Sequence, residues 1–210
     1  MQLLEQAELL LRALSDPLPD KGLEALFLFG QTEDNQNATF DTAERLYRRS
    51  PGLPLLMLAG GPRSGYPGFA PWRKALMARG VKSDHIHPLP PADSQLLHTR
   101  IEALALVDHL KNRPYRRVGV TAAPFHQLRA FITVISVILE TGLEVALYSC
   151  PGTPQPLLEY ASHSQGALSG QRRDLIAKEI QRIATYQARG DIAATRAILN
   201  YLEDRDCHDA

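Results

Sequence analysis

Cysteine is scarce in this sequence, with 2 residues among 210. Cys150 and Cys207 can form at most one disulfide, so the disulfide frameworks of small secreted proteins are excluded. Such low cysteine use is typical of a reducing compartment, and the expected location is the cytoplasm.

An excess of charge of either sign is also missing. Lys and Arg together number 23, as do Asp and Glu, so the formal charges balance at pH 7. A dedicated nucleic-acid-binding protein normally has a basic excess that neutralises phosphates. We therefore expect no nucleic acid among the partners.

The chain has no long hydrophobic run. The longest apolar segment, FITVISVILE at residues 131–140, is shorter than the roughly 18 residues that a bilayer-spanning helix needs. An amphipathic helix is predicted at the N-terminus, and its acidic residues and lack of a basic leader do not match a signal peptide. We expect no membrane partner.

Several familiar motifs are missing too. The sequence has no G-x-G-x-x-G dinucleotide fingerprint, no GxxxxGK[ST] phosphate-binding loop and no GxSxG nucleophile elbow. His85 and His87 lie close together, but two histidines without a third ligand nearby make a poor metal site. No metal ion is therefore expected.

What the sequence does contain is a regular alternation of short apolar segments and longer helical ones. Strands are predicted at residues 24–30, 54–61, 84–90, 116–122 and 142–149. Continuous apolar strands that are each followed by a helix predict an α/β fold, with a doubly wound, mainly parallel five-stranded sheet and helices on both faces. Residues 1–150 form this domain, and residues 151–210 add a loop and two C-terminal helices that pack on it.

The position of a ligand site follows from the strand order. Doubly wound sheets bind ligands beyond the carboxyl ends of their strands, where the strand order reverses. In the order 3-2-1-4-5, the first and fourth strands are neighbours. The loop at residues 29–37 then lies beside the segment at 121–129, with the loop at 59–68 on the other flank.

The segment TAAPFHQLR, residues 121–129, starts a predicted helix with two basic groups on one face. Pro124 suits the first helical turn, which places His126 in that turn and Arg129 one turn later. The helix N-terminus and the guanidinium favour an anionic ligand, and their positive field favours a neutral His126 that can transfer protons. The alternative is that Arg129 pairs with a surface carboxylate and His126 is a local cap.

The flanking loops supply further candidates for ligand binding. Gly30, Gly60 and Gly61 end the first two strands and allow the backbone to approach a ligand, although glycines equally serve tight turns. Gln31 and Asn35 can bind hydroxyl or amide groups of a ligand, or form turns and helix caps.

Two polar motifs have both a structural and a ligand-binding interpretation. Thr99 and Glu102 in HTRIEA match the T-x-x-E capping box that starts helices, and the spacing favours this interpretation over a place in the pocket. His163 and Gln165 lie in the motif HSQG of a long loop, where they are either loop anchors or part of the site.

Together these motifs resemble those of YdcF-like proteins of the SanA/ElyC/YdcF family. The similar segments are FLFG, AGGP, W-x-x-x-L-x-x-x-GV, HTRIEA, TAAPFHQLRAF, HSQG and, in the tail, R-x-x-L-I-x-x-E-x-x-R-I-x-x-Y and GDIA. The resemblance implies a Rossmann-like fold with its pocket at the carboxyl ends of the strands. The implied pocket consists of Gly30, Gly60, Gly61, Thr99, Glu102, Thr121, His126, Arg129, His163 and Gln165.

The resemblance also suggests a cofactor, S-adenosylmethionine, with which one bacterial member is associated. Its carboxylate would bind Arg129, and its sulfonium would need an acidic or aromatic neighbour such as Glu33, Asp34 or Tyr66. Membrane-anchored relatives are associated with envelope integrity, but this chain has no predicted anchor. Relatives often carry an acidic residue after the glycine pair, and residues 63–72 contain none.

Three functions are compatible with these observations. The favoured one is a cytoplasmic protein, expected to be an enzyme of unknown reaction, that binds an anionic, nucleotide-like small molecule. The second is a phosphoester or pyrophosphate hydrolase or transferase that uses His126. The third is a non-catalytic sensor or partner-binding module that uses the C-terminal helices.

Overall fold

A computed structural model describes residues 2–90, 98–163 and 169–209 of the chain. The strands are β1 (Ala25–Leu28), β2 (Leu55–Leu58), β3 (Ile86–Leu89), β4 (Arg117–Thr121), β5 (Ala146–Ser149), β6 (Tyr160–Ser162) and β7 (Ser169–Gln171). The helices are α1 (Gln2–Ser15), α2 (Glu33–Arg49), α3 (Phe69–Ala78), α4 (Thr99–Lys111), α5 (Pro124–Thr141), α6 (Arg172–Arg189) and α7 (Thr195–Asp209). The first five strands fall within the five segments predicted from the sequence.

The strands β1 to β5 form one parallel sheet in the order β3-β2-β1-β4-β5. Leu26 of β1 lies opposite Leu55 of β2 on one side and Gly119 of β4 on the other. The strand order therefore reverses between β1 and β4, and the carboxyl ends of these two strands lie side by side. The predicted doubly wound, five-stranded parallel sheet is confirmed.

The sheet is buried because helices cover both of its faces. All residues of β1 and β2 are buried, as the continuous apolar runs of these strands require. Parallel crossovers are right-handed, so α2 and α3 cover one face while α4 and α5 cover the other. Helix α5 also contacts α1 and α6, which makes it the central helix of its layer.

Helix α5 carries the basic residues of the predicted site, although it is apolar nearly all round. It begins at Pro124, whose missing N–H costs nothing in a first turn, and it ends at Thr141, before Gly142, which adopts the left-handed C-cap conformation at φ 62°. Twelve of its 18 residues are buried, and His126 and Arg129 are among them. Both basic groups therefore face the interior and not the solvent.

Two local predictions were wrong. Helix α2 begins at Glu33, so the loop after β1 spans only residues 29–32 and Asn35 lies in a helix. Glu33 and Asp34 favour this early start because acidic residues stabilise a helix N-terminus. The long loop expected after β5 contains β6 and β7, which pair antiparallel.

The C-terminal helices share the hydrophobic core of the sheet domain. Helix α7 contributes Ile198, Leu199 and Leu202, each with 0% exposure, and α6 packs against α5. Helices α6 and α7 therefore pack on the α/β domain. Within the part of the chain that the structure describes, no helix is both long and apolar enough to cross a membrane.

Candidate functional site

A group of polar side chains is buried at the carboxyl ends of β1 and β4. We call it the buried polar cluster, and it comprises Gln31, Thr99, Glu102, His126, Arg129, His163 and Glu179. Each of these residues is at most 4% exposed. They come from the loop after β1, the first two turns of α4 and α5, the residue after β6, and α6. Burial of polar groups costs free energy unless they find partners, so their hydrogen bonds define the site.

His126 lies at the centre of the cluster, and both of its ring nitrogens have partners. Its Nδ1 is 3.2 Å from the Gln31 amide nitrogen, and its Nε2 is 3.1 Å from the Thr99 hydroxyl. The same Gln31 nitrogen also donates to the Phe29 carbonyl at 3.2 Å, which fixes the orientation of the amide. Because Gln31 donates to Nδ1, the ring proton is on Nε2 and is donated to Thr99. His126 is therefore a neutral imidazole of defined tautomer.

The pKa of His126 agrees with this neutral state. Burial first, and then the positive charge of Arg129, lower the pKa of His126 well below its ordinary value. The sequence already predicted a neutral His126, but it ascribed this to the helix N-terminus. Here burial is the larger cause.

Arg129 forms a buried ion pair with Glu179 of α6. Its Nε donates to Glu179 Oε2 at 2.6 Å and its Nη2 to Oε1 at 3.3 Å, while its Nη1 donates to the Thr99 hydroxyl. The two residues are 1% and 3% exposed. The sequence had suggested a ligand or a surface carboxylate as the partner of Arg129, and the structure provides a buried carboxylate.

Glu179 is the anion of the cluster. Burial alone would raise the pKa of Glu179, but Arg129 and the hydrogen bond from His163 outweigh it and hold the pKa below its ordinary value. Its Oε1 lies 2.7 Å from His163 Nε2 and accepts a hydrogen bond from Arg182 at 2.9 Å. Arg182 is at the edge of the cluster, with 18% of its side chain exposed. Glu179 is therefore an ionised carboxylate surrounded by donors.

Glu102 is the second carboxyl group of the cluster, and its pKa is shifted in the opposite direction to that of Glu179. Its Oε1 accepts a hydrogen bond from the Gly30 backbone N–H at 2.7 Å. Burial raises the pKa of Glu102 to about 8, although the Gly30 N–H and the charges of Arg129 and Arg63 oppose this shift. Glu102 therefore keeps its proton at neutral pH.

The capping-box interpretation of Thr99 and Glu102 was wrong. His98 is the N-cap of α4, and Thr99 is already its first helical residue. The Thr99 hydroxyl binds His126 and Arg129, and the Glu102 carboxyl binds Gly30, so neither side chain caps the helix. The alternative interpretation, in which both residues face the site, agrees with their position.

Several other predicted ligand-binding residues lie outside the cluster. Asn35 donates to the Thr32 hydroxyl and to the Ser162 carbonyl, both at 2.9 Å, and accepts from Arg172 Nε at 3.1 Å. These bonds fasten β6 and α6 to α2, a structural role. Gln165 lies outside the described residues.

In the loop after β2, the space beside Gly60 is filled by another residue of the protein. Gly60 has a φ of 102°, and the Arg63 guanidinium occupies the space that a side chain at Gly60 would need. Gly61, by contrast, has open space beside it. Gly60 therefore serves the turn, and a ligand contact at either glycine stays a prediction.

Thr121 is the last residue of β4, and the surroundings of its hydroxyl group are unusual. Its Oγ1 is buried and has no hydrogen-bond partner among the described residues. A buried polar atom without a partner is uncommon in folded proteins, and it makes Thr121 a candidate contact for a ligand.

The proposed neighbours of a sulfonium group are not part of the cluster. Tyr66 is a buried residue of the loop after β2, where it packs edge-on against Trp72 and donates to the Leu58 carbonyl at 3.3 Å. Asp34 accepts from the Ser162 backbone N–H at 2.9 Å, and Glu33 is exposed at the start of α2.

Glu179 and Arg182 were missed as site residues by the sequence analysis, but a signal for Glu179 exists. Glu179 lies four residues after Leu175 and four before Ile183, so it occupies the apolar stripe of α6. A carboxylate in such a stripe must be buried and needs a cationic partner. The identity of that partner, 50 residues earlier in the chain, is not visible in the pattern.

A cavity of about 300 Å³ adjoins the cluster. Thr99 and Arg129 contribute to its wall, together with Arg100, Tyr186 and Asp191. Most of the residues that line the cavity are polar or charged, and it gives a small molecule room to reach the cluster.

The fold and the cluster together define a doubly wound α/β protein with buried polar groups at its topological switch point. Comparison of the chain with models of protein families, with curated proteins and with solved structures gives no match. Among the described residues, no three His, Cys, Asp or Glu side chains are grouped as a metal site would require. The resemblance to YdcF-like proteins stays a prediction.

Proposed function

We propose that the protein binds an anionic small molecule at the carboxyl edge of its sheet. The observation that carries this proposal is the convergence of the buried polar cluster on the point where the strand order reverses. Strongly shifted pKa values in one buried cluster are typical of functional sites. A purely structural role for this many buried polar groups is costly, because apolar residues of similar size would fill the same space at no electrostatic cost.

The charge balance of the cluster favours an anion. Arg129 and Arg182 are cations, and Glu179 is the anion between them. His126 and Glu102 are neutral near pH 7, because burial lowers the pKa of the first and raises the pKa of the second. Arg129, Glu179 and, at the edge of the cluster, Arg182 therefore carry one positive charge in excess, and the partial positive charge at the start of α5 adds to it.

Arg129 also has hydrogen-bonding capacity for a ligand. A guanidinium has five N–H donors, and the described acceptors, Glu179 and Thr99, take three of them. The remaining donors suit a carboxylate or a phosphate, which arginine binds in a two-pronged manner. The polar cavity at Thr99 and Arg129 provides the space.

The candidate cofactor is S-adenosylmethionine, which the resemblance suggests. The direct test is a calorimetric titration of the purified protein with S-adenosylmethionine and with adenosine 5′-monophosphate. We expect one of them to bind, and Thr99→Val to weaken that binding by about tenfold or more. Thr99 lines the cavity and its hydroxyl accepts a hydrogen bond from Arg129, and a hydrogen bond to a charged group is worth roughly 1.5–3 kcal/mol. Thr141→Val, at the far end of α5, is the matched control and should bind as the wild type does. Equal affinities in both variants would contradict a site at Thr99, and no binding of either compound would set both aside as ligands.

A second candidate is hydrolysis or transfer of a phosphoester or pyrophosphate. The Thr99 hydroxyl lies 3.1 Å from an imidazole that Gln31 orients, and this is the spacing of a hydroxyl nucleophile and its base. The tautomer argues against it, because a protonated Nε2 cannot accept the hydroxyl proton. Phosphate release from p-nitrophenyl phosphate, abolished by His126→Asn, would establish the second candidate in place of simple binding.

The third candidate, a non-catalytic sensor or partner-binding module that uses the C-terminal helices, has less support. Helix α6 supplies Glu179 to the cluster and Arg182 to its edge, so one of the two C-terminal helices is part of the proposed site. Deletion from Arg172 onward should therefore abolish ligand binding as well. The proposed compartment is the cytoplasm, in accord with two cysteines that are both free thiols.

A further inference from the structure

An apolar groove of about 560 Å³ opens between α1, α5 and α6. Its walls include Leu10 and Leu14 of α1, Leu128 of α5, and Ile176 and Ile180 of α6. The volume lies within the range of roughly 300–1,000 Å³ that is usual for small-molecule pockets. None of the functions considered so far uses this groove.

The walls of the groove are unusually exposed for apolar side chains. Leu10 is 43% exposed, Ile180 58% and Leu157, at the rim, 54%. Several exposed apolar residues that line one concave surface indicate a binding site, whereas single exposed residues do not. The walls suit a hydrocarbon chain.

Buried charged side chains also line the groove. Arg129 and Glu179 line it, although they are only 1% and 3% exposed. Arg129 lines the polar cavity as well, so the groove reaches the same guanidinium that the proposed function assigns to the anion. An apolar helix seated in the groove would cover this pair without offering it a polar partner, and burial of charge on those terms is costly.

We propose that the groove binds the hydrocarbon chain of an anionic amphiphile, whose charged group lies at Arg129. The apolar walls bind the hydrocarbon chain. The charged group accepts hydrogen bonds from those N–H groups of Arg129 that do not donate to Glu179 or Thr99. The inference rests on the proposed function, because the same arginine binds the anion. It adds the ligand class, a molecule with a carboxylate or phosphate at one end and an alkyl chain at the other.

The experiment is a calorimetric titration with ethyl, hexyl and decyl phosphate, each below its micelle concentration, at pH 7. We expect the affinity to rise by about three- to fourfold for each methylene that the groove buries. Ile180→Glu should remove this dependence on chain length. Met77→Glu is the matched control, since Met77 is 45% exposed on α3, away from the groove, and it should keep the wild-type dependence. Decanol, which lacks the anion, should bind at least about tenfold more weakly than decyl phosphate.

The possible failures are distinguishable. An affinity that is independent of chain length, with ethyl phosphate still bound, would overturn the groove and leave the proposed anion site standing. Equal affinities for decanol and decyl phosphate would overturn the placement of the charged group and the proposed function with it. A concentration-dependent dimer that Ile180→Glu dissociates would also overturn the inference, because a second copy of the chain would then fill the groove.

Discussion

Arg129 Nε lies 2.6 Å from Glu179 Oε2, in an ion pair that joins the central helix α5 to the C-terminal helix α6. Arg129 belongs to the α/β domain, and Glu179 belongs to the segment that follows the sheet. The cluster is therefore built by both parts of the chain.

The first prediction concerns the cost of breaking this pair. Arg129→Gln leaves the Glu179 carboxylate buried without its main cation, so we expect the free energy of unfolding to fall by about 3–5 kcal/mol. The double variant with Glu179→Gln removes both charges and should recover part of the loss. Urea denaturation measures all three proteins.

The matched control for this prediction is Arg100→Gln. Arg100 pairs with Glu140, and their side chains are 28% and 41% exposed, so we expect a loss within about 1 kcal/mol. If Arg129→Gln cost no more than this control, or if the double variant recovered nothing, the ion pair would not be the stabilising contact that its geometry indicates.

The second prediction follows from the pKa of Glu102. The carboxyl has a pKa of about 8 in the folded protein and an ordinary value of 4.5, so the folded state binds more protons than the unfolded state between these values. The stabilisation that Glu102 contributes through its raised pKa is therefore fully present below about pH 4.5 and is lost as the pH rises towards about 8.

The variant that isolates this effect is Glu102→Gln, which keeps an oxygen for the Gly30 N–H and cannot ionise. Urea denaturation of both proteins from pH 5 to pH 9 should show the wild type losing stability relative to the variant as the pH rises. Parallel curves would mean that Glu102 does not titrate in this range.

The third prediction concerns the tautomer of His126. Nitrogen-15 NMR of the imidazole should show a proton on Nε2 and none on Nδ1, because Gln31 donates to Nδ1. Gln31→Glu replaces that donor by a carboxylate, which should move the proton to Nδ1 and raise the pKa of His126. An unchanged spectrum in Gln31→Glu would rule out the Gln31 contact as the cause.

The fourth prediction uses the hydroxyl of Thr121, which has no partner in the described part of the chain. Thr121→Val removes a buried polar atom and should stabilise the ligand-free protein by on the order of 1 kcal/mol. If Thr121 contacts the ligand, the same variant should bind it more weakly. Thr42→Val is the control, because the Thr42 hydroxyl donates to the Pro151 carbonyl at 2.9 Å, and its loss should destabilise the protein. Loss of stability in both variants would show that Thr121 has a partner after all.

Much of the site could be located from the sequence, because its signals are local. The apolar strands followed by helices predict the sheet, and Pro124 starts α5 so that His126 and Arg129 share a face. The usual strand order then places the β1 loop beside them. The strands and the helix depend on residues at most a few positions apart, where helix and strand geometry is regular, and the strand order follows the usual topology of doubly wound sheets.

The role of each side chain depended on the tertiary structure. Thr99 and Glu102 have the spacing of a capping box, yet their partners are His126, Arg129 and Gly30, which come from other elements. The same residue types satisfy a local cap or a distant partner, and their spacing does not distinguish the two.

By itself, the sequence determined the α/β sheet, the burial of its strands and the helix that presents His126 and Arg129, because the periodicity of apolar residues dictates which face is buried. Only the packing of α6 on α5 decided that Glu179 binds Arg129. The two residues are 50 positions apart in the chain, and they form an ion pair only because α5 and α6 pack together in the folded protein.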